Sequence, residues 1–327
     1  MLCKTQPIIY TIKPILKTRI WGGRKLADWG RSLPDQHRYG ESWELVDRSE
    51  DCSELYDRRS NLTTTLHELW ETQRTTFFGT DAPNSQRFPI LIKLLDCADT
   101  LSVQVHPPEN VANALGGEPK TELWYFLETQ QDAKIYVGLK KGVTRAQFQQ
   151  AVGTPNLPHL LHSLKTSTGE AMFLPSGRVH AIGAGNFILE IQQNSDTTYR
   201  VDDWQRRDSN GNLRELHVEQ ALKSIHFDDY EPTFVQPHGS TLLNCPYFKV
   251  ERFWLLKGER MCFSPRGRSF YYQFITRGQA DCILEGDSEL RFGSSSGDAW
   301  LLSASAQGLL CEALTDSVEL ITVSWGS

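Results

Sequence analysis

Leu101-Ser102-Val103-Gln104-Val105-His106 alternates apolar and polar residues one for one, the period of a strand with one face buried. Leu101, Val103 and Val105 are expected on one face, and Ser102, Gln104 and His106 on the other. Working outward, alternating or apolar runs of similar length recur at 88–95, 122–128, 134–139 and 187–192, separated by turn-forming residues. This spacing predicts a protein dominated by β-structure. Beyond Thr241 the strand signals stand alone, at 247–255, 269–276, 280–285, 299–302 and 318–323. They are expected to build a second, smaller β-barrel or sandwich. Pro232, Pro237 and Gly239 break any regular element between the two parts, so a first unit is expected over residues 1–230 and a second over 240–327.

Helical patterns are few. Leu62, Leu66, Leu69 and Trp70 form an apolar stripe behind a cap-type Asn61, and Val218, Ala221, Leu222 and Ile225 form another. A third helical stretch, 144–164, is expected as an insertion packed outside the first barrel.

The 327 residues are 39% hydrophobic and 23% charged, enough to bury a large core and, at roughly 150 residues each, about two domains. A net charge of −6 argues against nucleic acid, whose phosphate backbone calls for clustered Lys and Arg. A small anion needs only two or three local cations and stays open. The seven cysteines are widely spaced with no Cys-x-x-Cys pair, which indicates neither a disulfide framework nor a thiolate metal site. Residues 1–10 lack a secretory apolar stretch, and no apolar run approaches the roughly 20 residues that span a bilayer. The expected compartment is a reducing cytoplasm.

Chemistry-bearing residues fall on these strands. An ordinary half-buried strand would place Ser102, Gln104 and His106 in solvent, so the alternation alone leaves their role open. In Lys120-Thr121-Glu122-Leu123-Trp124-Tyr125-Phe126 the same rule puts Lys120 and Glu122 on a face with Trp124 and Phe126. Aromatic surroundings penalise an unpaired charge; a structural Lys–Glu pair is the alternative to a site. Pro175-Ser176-Gly177 is a turn that delivers His180 onto a new strand. Two imidazoles, a carboxylate and an amide oxygen suffice for a divalent metal with room for substrate. Asn194-Ser195-Asp196 has turn composition, and Arg200 by itself reads equally as a surface ion-pair partner.

Taken in order, several motifs resemble the type I mannose-6-phosphate isomerases, especially the short bacterial form. They are Lys13-Pro14-Ile15, Trp21-Gly22-Gly23, Gly40-Glu41-Ser42-Trp43-Glu44, Gln104-Val105-His106-Pro107, Lys120-Thr121-Glu122-Leu123-Trp124-Tyr125, Pro175-Ser176-Gly177 with Val179-His180-Ala181, and the run from Gln192 to Arg200. The resemblance covers most of residues 7–227. It implies two cupin-type β-barrel (jelly-roll) units with a few peripheral helices, the first catalytic. It also implies one Zn2+ on Gln104, His106, Glu122 and His180, with Arg200 as catalytic residue. Lys93, Ser102, Lys120 and Asp196 match positions the family places around the substrate; Lys120 and Asp196 are candidates for proton transfer. The implied reaction interconverts mannose 6-phosphate and fructose 6-phosphate through an enediol. A small sugar phosphate is thus the expected partner, with no nucleic acid and no membrane, and the chain is expected as a monomer or weak homo-oligomer. Residues 241–327 contain no His, so the second unit is expected to be metal-free. A sugar-sensing cupin or an iron oxygenase would share the barrel, but the first has no use for Lys120, Asp196 and Arg200 in one cavity, and the second prefers more imidazoles than Gln104 allows.

Overall fold

The computed structural model describes residues 8–60, 62–207 and 211–327. The expected cap Asn61, together with Cys3 and the rest of residues 1–7, lies outside them. Over the described residues the protein is mostly β, its strands ordered into four antiparallel sheets with a few short helices.

Side-chain alternation explains how the sheets stack. Val103, Val105, Ala181 and Val201 point away from the interior and pack under Phe148, Leu157, Ala221 and Leu222, the apolar faces of helices Arg145–Ala151, Leu157–Leu160 and Val218–Ser224. Those strands belong to a five-stranded sheet in the order Leu161–Lys165, Lys134–Leu139, His180–Ile182, Val103–Val105, Tyr199–Asp202. Its other face meets a six-stranded sheet, where Ile135, Val137 and Ile182 pack on Leu95, Trp124, Phe126 and Ile188. That sheet runs Ala171–Leu174, Glu122–Thr129, Asn186–Gln193, Ile90–Cys97, Tyr39–Leu45, Ile15–Gly23. Its far face (Leu94, Leu123, Tyr125, Leu189) packs on an eight-stranded sheet through Tyr10, Tyr272, Phe274, Leu301 and Ile321. The alternate residues Ile9, Ile275, Trp300, Leu302 and Leu320 then pack on a four-stranded sheet.

The eight-stranded sheet draws on both ends of the chain. Ile9–Lys13 pairs with Ala299–Leu302 on one side and with Glu54–Asp57 on the other. Arg31 adds a buried tie: its guanidinium grips both Glu44 oxygens, at 3.0 and 2.7 Å, and donates to the Gly297 carbonyl at 2.7 Å. Sheet membership therefore crosses the break near 228–239.

Several expectations need correction. The first helix runs Leu66–Phe78 and excludes Leu62, because Thr63–Thr65 pairs as an edge strand with Glu54–Asp57. Thr65 then caps the helix by accepting from the Glu68 amide at 3.1 Å. The 144–164 stretch starts helical, with a capping box at Thr144 and Gln147, but its last turn is replaced by strand Leu161–Lys165. Leu101 does not follow Val103 and Val105 to the helix side. The strand is only Val103–Val105, and Leu101 packs between the five- and six-stranded sheets.

Candidate active site

The interior between the five- and six-stranded sheets is where chemistry collects. Gln104 pairs with Arg200 on one side and with His180 on the other, so three neighbouring strands carry Arg200, Gln104 and His180 in one row. The facing sheet carries Trp43, Lys93, Glu190 and Trp124 in a second row, and Glu122 lies two residues from Trp124 on the same face. The turn that delivers His180 depends on Gly177, whose φ of +93° is left-handed and where a Cβ would lie 2.7 Å from the His226 ring.

His106, Glu122 and His180 meet at the floor, each at most 2% exposed. Their donor atoms lie within 4.8 Å of one another. Both imidazoles are fixed by their backbone contacts: Nδ1 of His106 donates to the Thr197 carbonyl at 2.8 Å, and Nδ1 of His180 to the Arg178 carbonyl at 2.9 Å. Each Nε2 is thereby left as an acceptor. These nitrogens face the Glu122 carboxylate at 3.6 and 3.5 Å, and the Gln104 amide nitrogen approaches His180 Nε2 at 3.3 Å. His106 Nε2 and both Glu122 oxygens are buried without any hydrogen-bond partner. Acceptors facing acceptors in a dry interior are costly unless a cation joins them. Ligands around one ion with bonds of about 2.1 Å lie about 3.4 Å apart, close to the 3.6 and 3.5 Å that separate the two imidazole nitrogens from Glu122, whereas Gln104 turns its amide nitrogen, not its oxygen, toward His180. The residues present fit a divalent metal.

Electrostatics agree with this assignment. Burial alone would raise the Glu122 carboxyl, but the Lys120 ammonium and the two imidazoles hold it well below the usual range. Burial pushes His180 down to about 3 against the pull of Glu122, and His106 is lowered chiefly by burial. Burial likewise opposes charge on Lys120, yet the carboxylates Glu122, Glu190, Asp196 and Glu41 outweigh it and raise its pKa. Lys120, 3.5 Å from Glu122, is an ammonium here.

Above the floor opens a cavity of about 310 Å³, and Lys93, Ser102, Gln104, Lys120, Asp196 and Arg200 all line it. Ser102 donates to the Gln104 carbonyl oxygen at 3.2 Å. The Asp196 carboxylate has no hydrogen-bond or ion-pair partner among the described residues and sits exposed at the wall. Other wall groups were not singled out from the sequence: Arg19, Glu41, Glu190 and Arg214. Glu41 stood inside a recognised motif and Glu190 inside the 187–192 run, but neither carried a role there. Arg19 and Arg214 had no motif around them. Glu190 accepts from the Trp124 indole at 3.0 Å and lies 3.4 Å from Lys93; burial, then Glu122, raises its pKa. Trp21 reaches this wall because Gly22 lets its strand run close, a Cβ there falling 2.4 Å from the Gly40 nitrogen.

Comparison with known proteins fits this arrangement. The family model for the phosphomannose isomerase type I catalytic domain matches residues 9–138. Mannose-6-phosphate isomerase ManA of Bacillus subtilis is 38% identical over 263 residues, 78% of this chain and 81% of that protein. The mannose-6-phosphate isomerase of Streptococcus mutans is 34% identical over 248 residues, 73% and 76% of the two chains. The crystal structure of the mannose 6-phosphate isomerase from Bacillus subtilis superposes with a TM-score of 0.84 at 28% identity, covering 97% of this chain and 99% of that one. With a shared fold and relatives this similar along most of both lengths, the chain belongs to the type I phosphomannose isomerase family of enzymes.

Proposed function

We propose that this chain interconverts mannose 6-phosphate and fructose 6-phosphate through an enediol, with one zinc ion held by Gln104, His106, Glu122 and His180. The observation that carries the metal half of this reading is Glu122, a buried carboxylate with neither oxygen hydrogen-bonded and the Lys120 ammonium no nearer than 3.5 Å, faced by two imidazole nitrogens in acceptor form. Zinc suits the set because it is redox-inert and takes imidazole nitrogen and oxygen ligands. Bound there, it supplies Lewis-acid stabilisation of the oxyanion charge that develops as hydrogen moves between C1 and C2.

The chain's own residues divide the remaining work. Arg200 cannot give up a proton at ordinary pH and serves to clamp and polarise substrate oxygens. Lys120, kept as an ammonium by its carboxylate neighbours, donates to substrate oxygen rather than removing a proton from carbon. Asp196 has a carboxylate free of partners among the described residues and takes the role of proton carrier. Lys93 and Ser102 orient the sugar from the wall.

Residues 1–230 are proposed as the catalytic unit and 240–327 as a metal-free companion. No described helix is long and apolar enough to cross a membrane, and a cytoplasmic monomer or weak homo-oligomer is the proposed setting. The decisive experiment couples mannose 6-phosphate turnover to a fructose 6-phosphate detector before and after chelation, with metal analysis of the same samples. Turnover lost with the metal and restored by zinc is expected. Full turnover in metal-free protein would remove zinc from the reaction.

A further inference from the structure

The apolar filling between the eight- and four-stranded sheets stops short of one end. There strands Lys249–Leu256, Ser317–Ser324 and Tyr271–Arg277 of the first sheet, strand Arg260–Phe263 of the second and the 264–269 turn surround a cavity of about 470 Å³. It is larger than the active-site cavity of about 310 Å³ and shares no wall residue with it. Its size is that of a small-molecule site. Phe253, Met261 and Tyr271, packed against the apolar cluster, give the wall a nonpolar side.

The polar side has a direction. Glu251, Thr322, Gln273 and Trp300 stand in one row across four neighbouring strands. An indole can only donate, and Trp300 Nε1 gives its hydrogen to the Gln273 oxygen at 2.9 Å. The Gln273 amide nitrogen therefore faces the other way and donates to the Thr322 hydroxyl at 3.3 Å. Thr322 is left with a hydrogen to give at the cavity wall, and no acceptor for it exists among the described residues. Ser324, next on the same face, is buried, lines the same wall and has no side-chain partner among the described residues.

Charge points the same way. The wall carries Lys249, Arg266 and Arg268 against Glu251 alone. Lys249 holds Glu251 Oε1 at 2.8 Å, and Arg268 holds Asp81 at 3.0 Å. Arg266 has no side-chain partner among the described residues, and its φ of +57° is a left-handed backbone uncommon outside glycine. Both free charges reach Tyr271 on the same wall: burial and then Glu251 raise its pKa, and Arg266 lowers it. Glu251 Oε1 also accepts from the Ser240 hydroxyl at 3.3 Å, whereas Oε2 has no hydrogen bond among the described residues. The cavity thus offers hydrogens in excess, with one carboxylate oxygen to take a hydrogen back. An anionic group satisfies Arg266, and a hydroxyl can accept from Thr322 or Ser324 while donating to Glu251.

We infer that this second cavity binds a small hydroxylated organic anion, its phosphoryl or carboxylate head group on Arg266 and its hydroxyl groups among Ser324, Thr322 and Glu251. The site lies apart from the active-site cavity, and the inference does not depend on the isomerase reading.

Calorimetric titration of 6-phosphogluconate into the metal-loaded full chain tests it. Arg266→Asn, in which asparagine tolerates the left-handed backbone, is expected to weaken one binding event by about 10- to 100-fold, the scale of losing charge-assisted hydrogen bonds. Ser324→Ala is expected to weaken the same event by about three- to tenfold. Arg200→Ala, which alters the other cavity, is expected to leave that event in place. Identical isotherms for the unaltered protein and Arg266→Asn would overturn the inference, and so would loss of the same event in Arg200→Ala, which would move it to the active site. Inorganic phosphate and gluconate, added as separate competitors, tell the head groups apart. Displacement of the Arg266-dependent event by phosphate assigns the phosphoryl group and displacement by gluconate the carboxylate; displacement by neither overturns the assignment of an anion. No turnover enters the measurement, so a failure of the proposed function would leave this result standing.

Discussion

The two sheet pairs of this molecule solve the same packing problem with opposite interiors. Between the five- and six-stranded sheets lie Lys93, His106, Lys120, Glu122, His180 and Glu190, none more than 5% exposed. Between the eight- and four-stranded sheets lie Ile9, Leu255, Ile275, Trp300, Leu302 and Leu309, with two thiols, Cys282 and Cys311, as the mildest of polar groups. Buried ionisable groups cost several kcal/mol each unless paired, whereas each buried Leu or Ile contributes about 1.5–3 kcal/mol. The contrast teaches that stability and chemistry are held in different layers. The eight-stranded sheet is apolar on both faces and joins them, which allows its neighbour to keep a strained, charged interior.

The sharpest way to break that contrast is to remove a ligand from the charged layer. His180→Ala deletes one acceptor facing Glu122 but leaves the apolar face of its strand, Ala181 and its neighbours, intact. We expect metal content to fall close to zero and kcat to drop by about 10³-fold, the upper scale for losing an electrostatic stabiliser, with the melting transition still cooperative. Elemental analysis and turnover measured on one sample check this. Retained metal with full activity would dissolve the distinction between the layers.

Next in size is the apolar layer. Leu302 is fully buried against the four-stranded sheet and pairs across its strand with Ile9 and Tyr271. Leu302→Ala should cost about 2–5 kcal/mol in a denaturant titration, with kcat unchanged at temperatures where the protein remains folded. A loss of activity equal to that of His180→Ala would show that the second layer takes part in chemistry.

Arg200→Ala comes third. The metal cluster does not depend on this side chain, so metal content should hold while kcat falls by about 10²-fold. An unchanged kcat would leave Arg200 as a wall residue only.

How much of this was legible in the sequence follows the same contrast. Alternation is local, so the faces of 122–128 and 134–139 could be read directly, and the strand Lys134–Leu139 has the expected bounds. Leu101 was misread because alternation holds only while the chain remains a strand, and that strand starts at Val103. The pairing of Ile9–Lys13 with Ala299–Leu302 joins opposite ends of the chain and leaves no local mark. Strands Arg260–Phe263, Asp287–Ser295 and Leu309–Ala313 were passed over because Gly, Ser and charged residues dilute their period. The cluster of His106, Glu122 and His180 came from motif order, since no residue pattern states that separate strands will meet. Arg19 and Arg214 stand on the cavity wall with no motif to mark them, because which side chains share one cavity is set by pairing between distant strands.

The smallest effect has the opposite sign and makes the charged layer resemble its neighbour. Lys93 and Glu190 form a buried pair at 3.4 Å, 3% and 5% exposed at their side chains. Replacing one partner alone would strand a charge, but Lys93→Met with Glu190→Gln removes both. The new amide oxygen can still accept from the Trp124 indole, which Glu190 now holds at 3.0 Å. Exchanging a buried ion pair for neutral groups of similar volume is neutral to stabilising, so the double variant should gain about 1 kcal/mol in a denaturant titration while losing activity. That combination is the signature of groups retained for chemistry at the expense of the fold. A lower denaturation midpoint would mean that the pair is structural, and that the two interiors differ less in purpose than in composition.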